Sequence, residues 1–338
     1  MFTAVLNQLI ARRDLSERDI TVTLNFIMGG HATDAQIGAF LTALRMKGET
    51  AAEVYGAAAV MRRHATLIDA GSRHVVDTCG TGGDGAGTFN ISTASAFAAA
   101  GAGVCVAKHG NRAVSSKCGS ADVLAALGFN LECSRAVMEQ CLQEHGIGFL
   151  FAPAMHPAMK HVMPTRRQLG IRTLFNMLGP LTNPAGATGQ VLGVYAADLT
   201  EVFAEALRHL GCRRALVVHG QPGLDEISPC GRTRISELRD GVIRTYEVEA
   251  DLLLGESYPI ADLAGGTVEE NAGLLRGILD GSVRGGQRAA VLLNAGAAIV
   301  AGEKAETLAQ GIALAQIAID SGAALDKLTV LVRGSQGR

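Results

Sequence analysis

The sequence pattern changes near Gly71, and this change constrains the fold more than any other feature of the chain. Before Gly71, three apolar runs with helical spacing each follow a polar residue, namely Ser16, Thr33 and Thr50. A Ser or Thr with a polar partner three residues later marks the start of a helix. After Gly71, short apolar runs alternate with Ala-rich helical segments, which is typical of a mostly parallel sheet covered by helices.

We therefore predict an α/β protein with a small all-helical domain and a larger domain around a mostly parallel central sheet. The helical domain covers residues 1–70, with a contribution from a Pro-punctuated crossover at about 160–184, and the larger domain covers residues 71–338. A hairpin is expected around Asp240-Gly241, a frequent two-residue turn. The predicted strands are 75–76, 103–107, 148–152, 190–195 and 215–219, followed by the hairpin strands 233–238 and 242–248.

Composition excludes several classes of function. The net charge of −2 and the aromatic content of 4% do not favour nucleic-acid binding. The apolar stretch 94–107 is shorter than the ~20 residues of a membrane span, and residues 1–13 lack the layout of a signal peptide. Seven cysteines without a C-x-x-C pair indicate reduced thiols, so we expect a cytoplasmic protein.

A glycine-rich turn, Gly80–Gly85, follows the first predicted strand. It matches the G-x-G-x-x-G pattern of dinucleotide-binding proteins, which also place an acidic residue ~20 positions further on. No Asp or Glu occurs from Gly85 through Ala121, and Lys108 follows the next strand. A cation suits phosphate better than a ribose diol. A tight turn without any ligand remains the alternative.

Two further segments favour a phosphate ligand. Asn90–Thr93 lies at a predicted helix start, where free N–H groups attract anions, although ordinary capping would need the same residue types. The segment Lys108–Lys117 follows a strand and contains three cations, an amide and several hydroxyls, and a solvated loop is its alternative. Together with the glycine turn, these segments predict one site for a ligand with more than one phosphate, free of acidic residues.

The carboxylates of Asp225 and Glu226 follow the strand 215–219 and could hold Mg²⁺, which prefers carboxylate and phosphate oxygens. A solvated acidic turn is the alternative. His109, His156 and His219 lie near the predicted site, but none has the spacing of a catalytic triad. The chemistry is therefore expected to depend on positioning and charge stabilisation.

At these motifs the chain resembles the anthranilate phosphoribosyltransferases, which join anthranilate to phosphoribosyl pyrophosphate (PRPP) in tryptophan biosynthesis. The resemblance covers essentially the whole chain, in order. The segments that carry it include GTGGDG at 80–85, FNIST at 89–93, KHGNRAVSSKCGSAD at 108–122, FLFAPAMHPAMKHVMPTRRQLGIRTLFNMLGPLTNP at 149–184 and HGQPGLDEIS at 219–228.

The resemblance implies a nucleoside phosphorylase/phosphoribosyltransferase-like fold, a cleft site between the two domains, and a homodimer formed through the helical domain. It implies Mg²⁺, as two ions bound with PRPP, held by Ser92, Asp225 and Glu226. It implies anthranilate contacts at Gly80, Asn111 and Arg166. The PRPP contacts that it implies are Gly80, Gly83, Asp84, Thr88, Asn90, Ile91, Ser92, Thr93, Lys108, His109, Gly110, Asn111, Arg112, Ala113, Val114, Ser115, Ser116 and Ser120.

No catalytic acid or base is implied, because the aromatic amine of anthranilate is unprotonated near neutral pH. Lys108, Mg²⁺ and backbone N–H groups would stabilise the departing pyrophosphate. Two alternatives stay open at this point. One is an enzyme similar to pyrimidine nucleoside phosphorylase, and the other is a nucleic-acid-binding relative of the same fold.

Overall fold

Four helices precede the first strand in the computed structural model, which describes residues 1–71, 73–113 and 117–337. Ser16, Thr33 and Thr50 each accept a hydrogen bond from the backbone N–H group three residues later, which confirms the three predicted helix starts. The first helix was not expected from the sequence, because its N-cap, Met1, offers no capping side chain. The four helices are α1 (Phe2–Ile10), α2 (Glu17–Met28), α3 (Asp34–Lys47) and α4 (Ala51–Arg63).

A seven-stranded sheet in the order β3-β2-β1-β4-β5-β6-β7 forms the centre of the larger part. Strands β1 to β5 are parallel, and β6 and β7 form an antiparallel hairpin, as predicted. Because parallel strands end at the same edge, the loops after β1, β2, β4 and β5 meet there. The strands are β1 (Val75–Gly80), β2 (Cys105–Gly110), β3 (Ile147–Phe151), β4 (Gly189–Gly193), β5 (Arg214–Gly220), β6 (Arg232–Arg239) and β7 (Val242–Glu249).

Helices cover the sheet and form the crossover. The crossover between β3 and β4 includes α9 and α10, and it is broken by short 3₁₀ turns at Pro157–His161 and Gly179–Leu181. A π turn, Cys141–His145, follows α7, and a third 3₁₀ turn spans Ile260–Leu263. The helices are α5 (Ile91–Gly101), α6 (Ser120–Ala126), α7 (Arg135–Gln140), α8 (Ala152–Met155), α9 (Met163–Leu169), α10 (Leu174–Leu178), α11 (Leu199–His209), α12 (Ala250–Leu254), α13 (Val268–Leu279), α14 (Gly285–Ala301), α15 (Leu308–Asp320) and α16 (Ala323–Ser335).

Two hydrophobic cores lie on opposite faces of the sheet. Successive strand residues point to opposite faces, so Val218 of β5 enters one core and Val217 enters the other. The first core contains α5 and α14. The second joins the sheet to the N-terminal helices and the crossover, through residues such as Phe40 and Phe175. The N-terminal helices therefore share a core with one face of the sheet, and the crossover lies between them.

Within residues 1–71, 73–113 and 117–337, every single helix is too short or too polar to cross a membrane. One bent pair, α15 with α16, reaches the required length and composition only when both helices are taken together, and the two are bent by 67°.

Candidate functional site

The acidic pair after β5 packs directly against the glycine turn after β1. The Gly82 N–H group donates a hydrogen bond of 2.8 Å to Asp225 Oδ2. Asp84 Oδ2 accepts a longer one of 3.4 Å from the Asp225 N–H group. This approach depends on two glycines, since a Cβ atom at Gly80 or Gly193 would collide with Asp225. The structure thus brings together two motifs that lie more than 100 residues apart in the chain.

The second acid reaches the start of α5. Glu226 Oε1 accepts a hydrogen bond of 3.1 Å from the Ser92 N–H group. The Ser92 hydroxyl in turn accepts one of 3.1 Å from Lys108 Nζ, which also donates to the carbonyl of Thr78. The N-cap of α5 is Asn90, which makes no side-chain cap bond, so capping does not explain Ser92. The loops that follow β1 and β5 and the Lys108 side chain of β2 therefore converge on one polar cluster.

The charges in this cluster are strongly perturbed by burial. Burial and the neighbouring Asp84 charge raise the pKa of Asp225 to about 7. Burial and the charge of Asp225 raise the pKa of Glu226 well above its ordinary value. Burial lowers the pKa of Lys108, while the charge of Asp77 opposes that shift. Carboxylates with raised pKa values favour a nearby cation, because a cation relieves their mutual repulsion.

The expectation of an acid-free phosphate pocket is wrong. The acid-free segment 85–121 does contribute Lys108, but Asp84 precedes that segment in the chain and Asp225 lies far beyond it. Both carboxylates fold back onto the same site. A polyphosphate at this position would meet carboxylates as well as a lysine, so a bridging cation becomes a requirement of the charge balance.

The other two cations of the Lys108–Lys117 segment point elsewhere. Arg112 Nη1 forms an ion pair of 2.9 Å with Asp122 Oδ1, and its guanidinium lies 5.9 Å from the ring centroid of Phe151. Lys117 is exposed. Among residues that the structure describes, Lys108 is the member of this segment whose side chain enters the cluster.

The remaining predicted PRPP residues line the same edge, but with varied contacts. The Asn111 carbonyl accepts hydrogen bonds from the Ala121 N–H group and the Ser120 hydroxyl. Ala113 donates its N–H group to Asp122. Thr88 pairs through its backbone with Ala264. Ile91 and Thr93 are buried at the start of α5, and Gly110 ends β2. Val114, Ser115 and Ser116 lie outside the described residues.

A buried histidine pair lies between β2 and the crossover. The Nε2 atoms of His109 and His156 are 3.2 Å apart, and His109 Nδ1 is 3.2 Å from the carbonyl of Gly179. Burial and the neighbouring His156 lower the pKa of His109 to about 3, and burial lowers that of His156 to about 4. Both rings are therefore neutral near pH 7. His219 contacts the carbonyl of Val194 through Nδ1, at 2.8 Å.

Arg166, on α9, carries a cation without an acidic partner. Its guanidinium lies 5.6 Å from the ring centroid of Phe175 and contacts the sulfur of Met163 at 3.7 Å. No carboxylate of the described ranges comes within 4.0 Å of it. Burial lowers the pKa of this guanidinium. A partly desolvated, unpaired guanidinium is suited to a planar carboxylate ligand.

Sequence reasoning missed three features of the site. Asp77 is buried on β1 and accepts the His109 N–H group at 3.1 Å. Arg172 contacts the glycine turn, and no sequence motif points to this contact. Gly193 ends β4 where Asp225 approaches. A glycine inside a strand often marks a close backbone approach, so Gly193 could have been found from the sequence.

The acidic pair fits Mg²⁺ only if a ligand completes the coordination. Within the described part of the chain, no group of three His, Cys, Asp or Glu side chains could hold a metal by itself. Mg²⁺ in phosphate-handling sites is usually bound by one or two carboxylates together with substrate oxygens. The oxygen donors Asp225 and Glu226 satisfy that pattern.

Comparisons with known proteins identify the family that the chain matches. A model described as the glycosyl transferase family, a/b domain matches residues 72–325, and one described as the helical bundle domain of that family matches residues 3–65. The anthranilate phosphoribosyltransferase of Desulfosudis oleivorans is 58% identical over 332 residues, covering 98% of each chain.

Solved structures extend the agreement to the fold. Anthranilate phosphoribosyltransferase from Thermus thermophilus superposes with a TM-score of 0.93 at 42% identity, covering 98% of this chain and 99% of that one. The Saccharomyces cerevisiae enzyme in complex with PRPP and Mg gives 0.90 at 29% identity, covering 100% and 98%. The same yeast enzyme is also known in complex with 4-fluoroanthranilate. This chain belongs to the anthranilate phosphoribosyltransferase family.

Proposed function

We propose that this chain transfers the phosphoribosyl group of PRPP to the amine of anthranilate. The products are N-(5-phosphoribosyl)anthranilate and pyrophosphate, and the reaction is a Mg²⁺-dependent step of tryptophan biosynthesis. The observation that carries the proposal is the convergence of Lys108, the start of α5 and the glycine turn on the acidic pair Asp225 and Glu226. Relatives that cover the full length of the chain carry this activity in their names.

PRPP is assigned to the carboxyl edge of the sheet. Its pyrophosphate would meet the glycine turn, Ser92 and Lys108, with Asp225 and Glu226 facing it. Bound Mg²⁺ would neutralise charge on the pyrophosphate oxygens and separate them from the two carboxylates. The yeast relative in complex with PRPP and Mg supports PRPP and Mg²⁺ as the ligands.

Anthranilate is assigned to the side of the site formed by the crossover, with contacts at Gly80, Asn111 and Arg166. The crossover meets the sheet edge where Gly179 contacts His109, and again where Arg172 contacts Gly83. His156, whose ring contacts His109, precedes the helix that carries Arg166, and Arg172 follows it, so both ends of this segment are attached to the sheet edge. The 4-fluoroanthranilate complex of the yeast relative supports an aromatic carboxylate as ligand.

The chemistry follows from positioning and charge. The amine of anthranilate attacks C1 of the ribose, the C1–O bond to pyrophosphate breaks, and the electron pair of that bond leaves with pyrophosphate. The amine nitrogen releases one proton to solvent. Lys108 and the N–H groups at the start of α5 stabilise the charge that builds on the leaving group. Arg166 and Asn111 hold the amine in line. Attack from the opposite face inverts the α anomer to the β anomer.

We further propose that residues 1–70, with the crossover at about 160–184, act as one domain and residues 71–338 as the other, with the substrates between them.

The helical domain is proposed to mediate a homodimer. Ile10 and Met46 on that domain are exposed apolar side chains, each 71% accessible, and support this surface. Free thiols at Cys79, Cys105, Cys133, Cys141, Cys212 and Cys230 support a reducing, cytoplasmic location.

The proposal is tested by following anthranilate fluorescence with PRPP and Mg²⁺. We expect fluorescence to fall only when all three are present, and to stay constant with EDTA. A second arm replaces PRPP and anthranilate with a pyrimidine nucleoside and phosphate. Base release in that arm, without anthranilate consumption in the first, would contradict the proposal and favour a phosphorylase.

A further inference from the structure

The Arg172 side chain of the crossover bonds to the same glycine turn that contacts Asp225. Its Nη1 donates a hydrogen bond of 2.9 Å to the carbonyl of Gly83, and its Nη2 donates one of 2.8 Å to the carbonyl of Gly82. The guanidinium also stacks on Tyr195 just after β4, with Cζ 3.8 Å from the ring centroid. One side chain of the crossover thus joins two loops of the sheet edge.

The glycine turn needs such a contact because its own backbone is permissive. Gly82 and Gly83 have φ of +66° and +71°, and glycine samples such conformations freely. The two carbonyls are held by Arg172, while the Gly82 N–H group points to Asp225. Gly83 also admits the guanidinium, since a Cβ atom there would collide with Arg172 Nη1.

We propose that Arg172 is a positioning residue for the transfer reaction. By holding the carbonyls of Gly82 and Gly83, it fixes the two peptide groups that carry the N–H groups of Gly83 and Asp84, and we assign these two N–H groups to the pyrophosphate. It also fastens the segment that carries Arg166 to the PRPP side of the site. This inference rests on the proposed function, and it assigns Arg172 no contact with either substrate.

The geometry distinguishes this role from a direct phosphate contact. A guanidinium presents a planar fork that reaches two carbonyls at once and stacks on an aromatic ring. A lysine keeps the positive charge, but its single ammonium group cannot reproduce the fork or the stacking. Arg172→Lys therefore removes the paired carbonyl contacts and the stacking on Tyr195 but retains the positive charge. An arginine that bound phosphate only through its charge would tolerate this substitution.

The first measurement needs no substrate. Hydrogen–deuterium exchange of the free protein is compared for wild type, Arg172→Lys, Arg172→Ala and Tyr195→Ala. We expect faster exchange in the peptide that contains Gly82 and Gly83 in all three variants, with the sheet unchanged. Arg167→Ala is the matched control, because Arg167 is an exposed arginine on the same segment. Unchanged exchange in the glycine turn of Arg172→Lys and Arg172→Ala would overturn the proposal.

The second measurement is the dissociation constant of PRPP with Mg²⁺, by calorimetry. We expect Arg172→Lys and Arg172→Ala to weaken binding to a similar extent, roughly tenfold or more, while Arg167→Ala binds like wild type. If Arg172→Lys keeps wild-type affinity and Arg172→Ala does not, Arg172 contacts phosphate and the proposal is wrong. Circular dichroism identifies any variant that fails to fold, and Tyr195→Ala then provides the test. If wild type itself does not bind PRPP, the proposed function fails independently.

Discussion

Replacing Arg166 with alanine isolates the contact that we assign to the anthranilate carboxylate. The guanidinium has no acidic partner within 4.0 Å among the described residues, so the substitution breaks no internal ion pair. It removes the stacking on Phe175, which costs about 0.5–1 kcal/mol. Removing a partly desolvated charge offsets that cost. We therefore expect the free energy of unfolding to change by less than about 1 kcal/mol.

The effect on substrate binding should be much larger. Losing a hydrogen bond between two charged groups costs about 1.5–3 kcal/mol, which corresponds to a roughly 10- to 150-fold rise in KM for anthranilate. The KM for PRPP should change little, because Arg166 is assigned to the other end of the site. Initial rates with each substrate varied in turn give both constants. Arg167→Ala, which removes an exposed arginine on the same helix, serves as the control.

A second substrate makes the test specific for the carboxylate. Aniline has the same amine but lacks the carboxylate of anthranilate. Wild type should strongly prefer anthranilate to aniline, and Arg166→Ala should lose most of that preference without a slower reaction of aniline. The assignment is refuted if the variant still discriminates between the two amines, or if both KM values rise equally.

Three further outcomes are expected. Replacing Asp225 with Asn and Glu226 with Gln together should lower turnover and change its Mg²⁺ dependence; rate curves that superimpose on wild type would show that these acids do not handle metal. Gly82→Ala meets no atom within 4 Å but places a side chain at φ +66°, at a cost of about 1–2 kcal/mol. Calorimetry should show weaker PRPP binding by this variant, and wild-type affinity would contradict the role of the turn. The pKa of His156 falls to about 4 on folding, so its unfolded form takes up a proton first as pH falls. Between pH 7 and pH 5 wild type should therefore lose about 2 kcal/mol of unfolding free energy that His156→Gln does not lose. Parallel denaturant titrations measure this difference, and equal pH dependence would show that the imidazole is not kept neutral.

Local signals explain why much of the fold could be predicted from the sequence. The side chains of Thr33 and Thr50 each accept a hydrogen bond from the backbone N–H group three residues later. The sequence signal for each helix start therefore lies within one helical turn. The Asp240-Gly241 turn likewise specifies its hairpin locally, and Asp240 adopts a φ of +49°. Where such a signal is missing, as before α1, the helix depends on tertiary packing of Val5 and Leu9 and was not expected.

The candidate site was harder to predict because its contacts join distant segments. The order of the strands places β4 between β1 and β5, and this brings Gly80 and Gly193 next to Asp225. A sequence pattern identifies the chemical groups but does not show which of them lie at the same edge of the sheet. Asp84 and Asp225 are therefore missed as neighbours.

The contacts of Lys108, at the centre of the site, could also be predicted only in part from the sequence. The sequence predicts that Lys108 contacts phosphate. In the structure the Lys108 side chain is buried and donates hydrogen bonds to the Thr78 carbonyl and the Ser92 hydroxyl. Its charge is available to the leaving group only from within this network.

We propose that this chain moves a phosphoribosyl group from pyrophosphate to an amine by direct displacement. The most direct measurement is the product balance of one reaction with PRPP, anthranilate and Mg²⁺, followed by phosphorus and proton magnetic resonance. We predict one pyrophosphate released for each anthranilate consumed, and a product with the β configuration at C1. Pyrophosphate release without loss of anthranilate, or a product that keeps the α configuration, would contradict the claim.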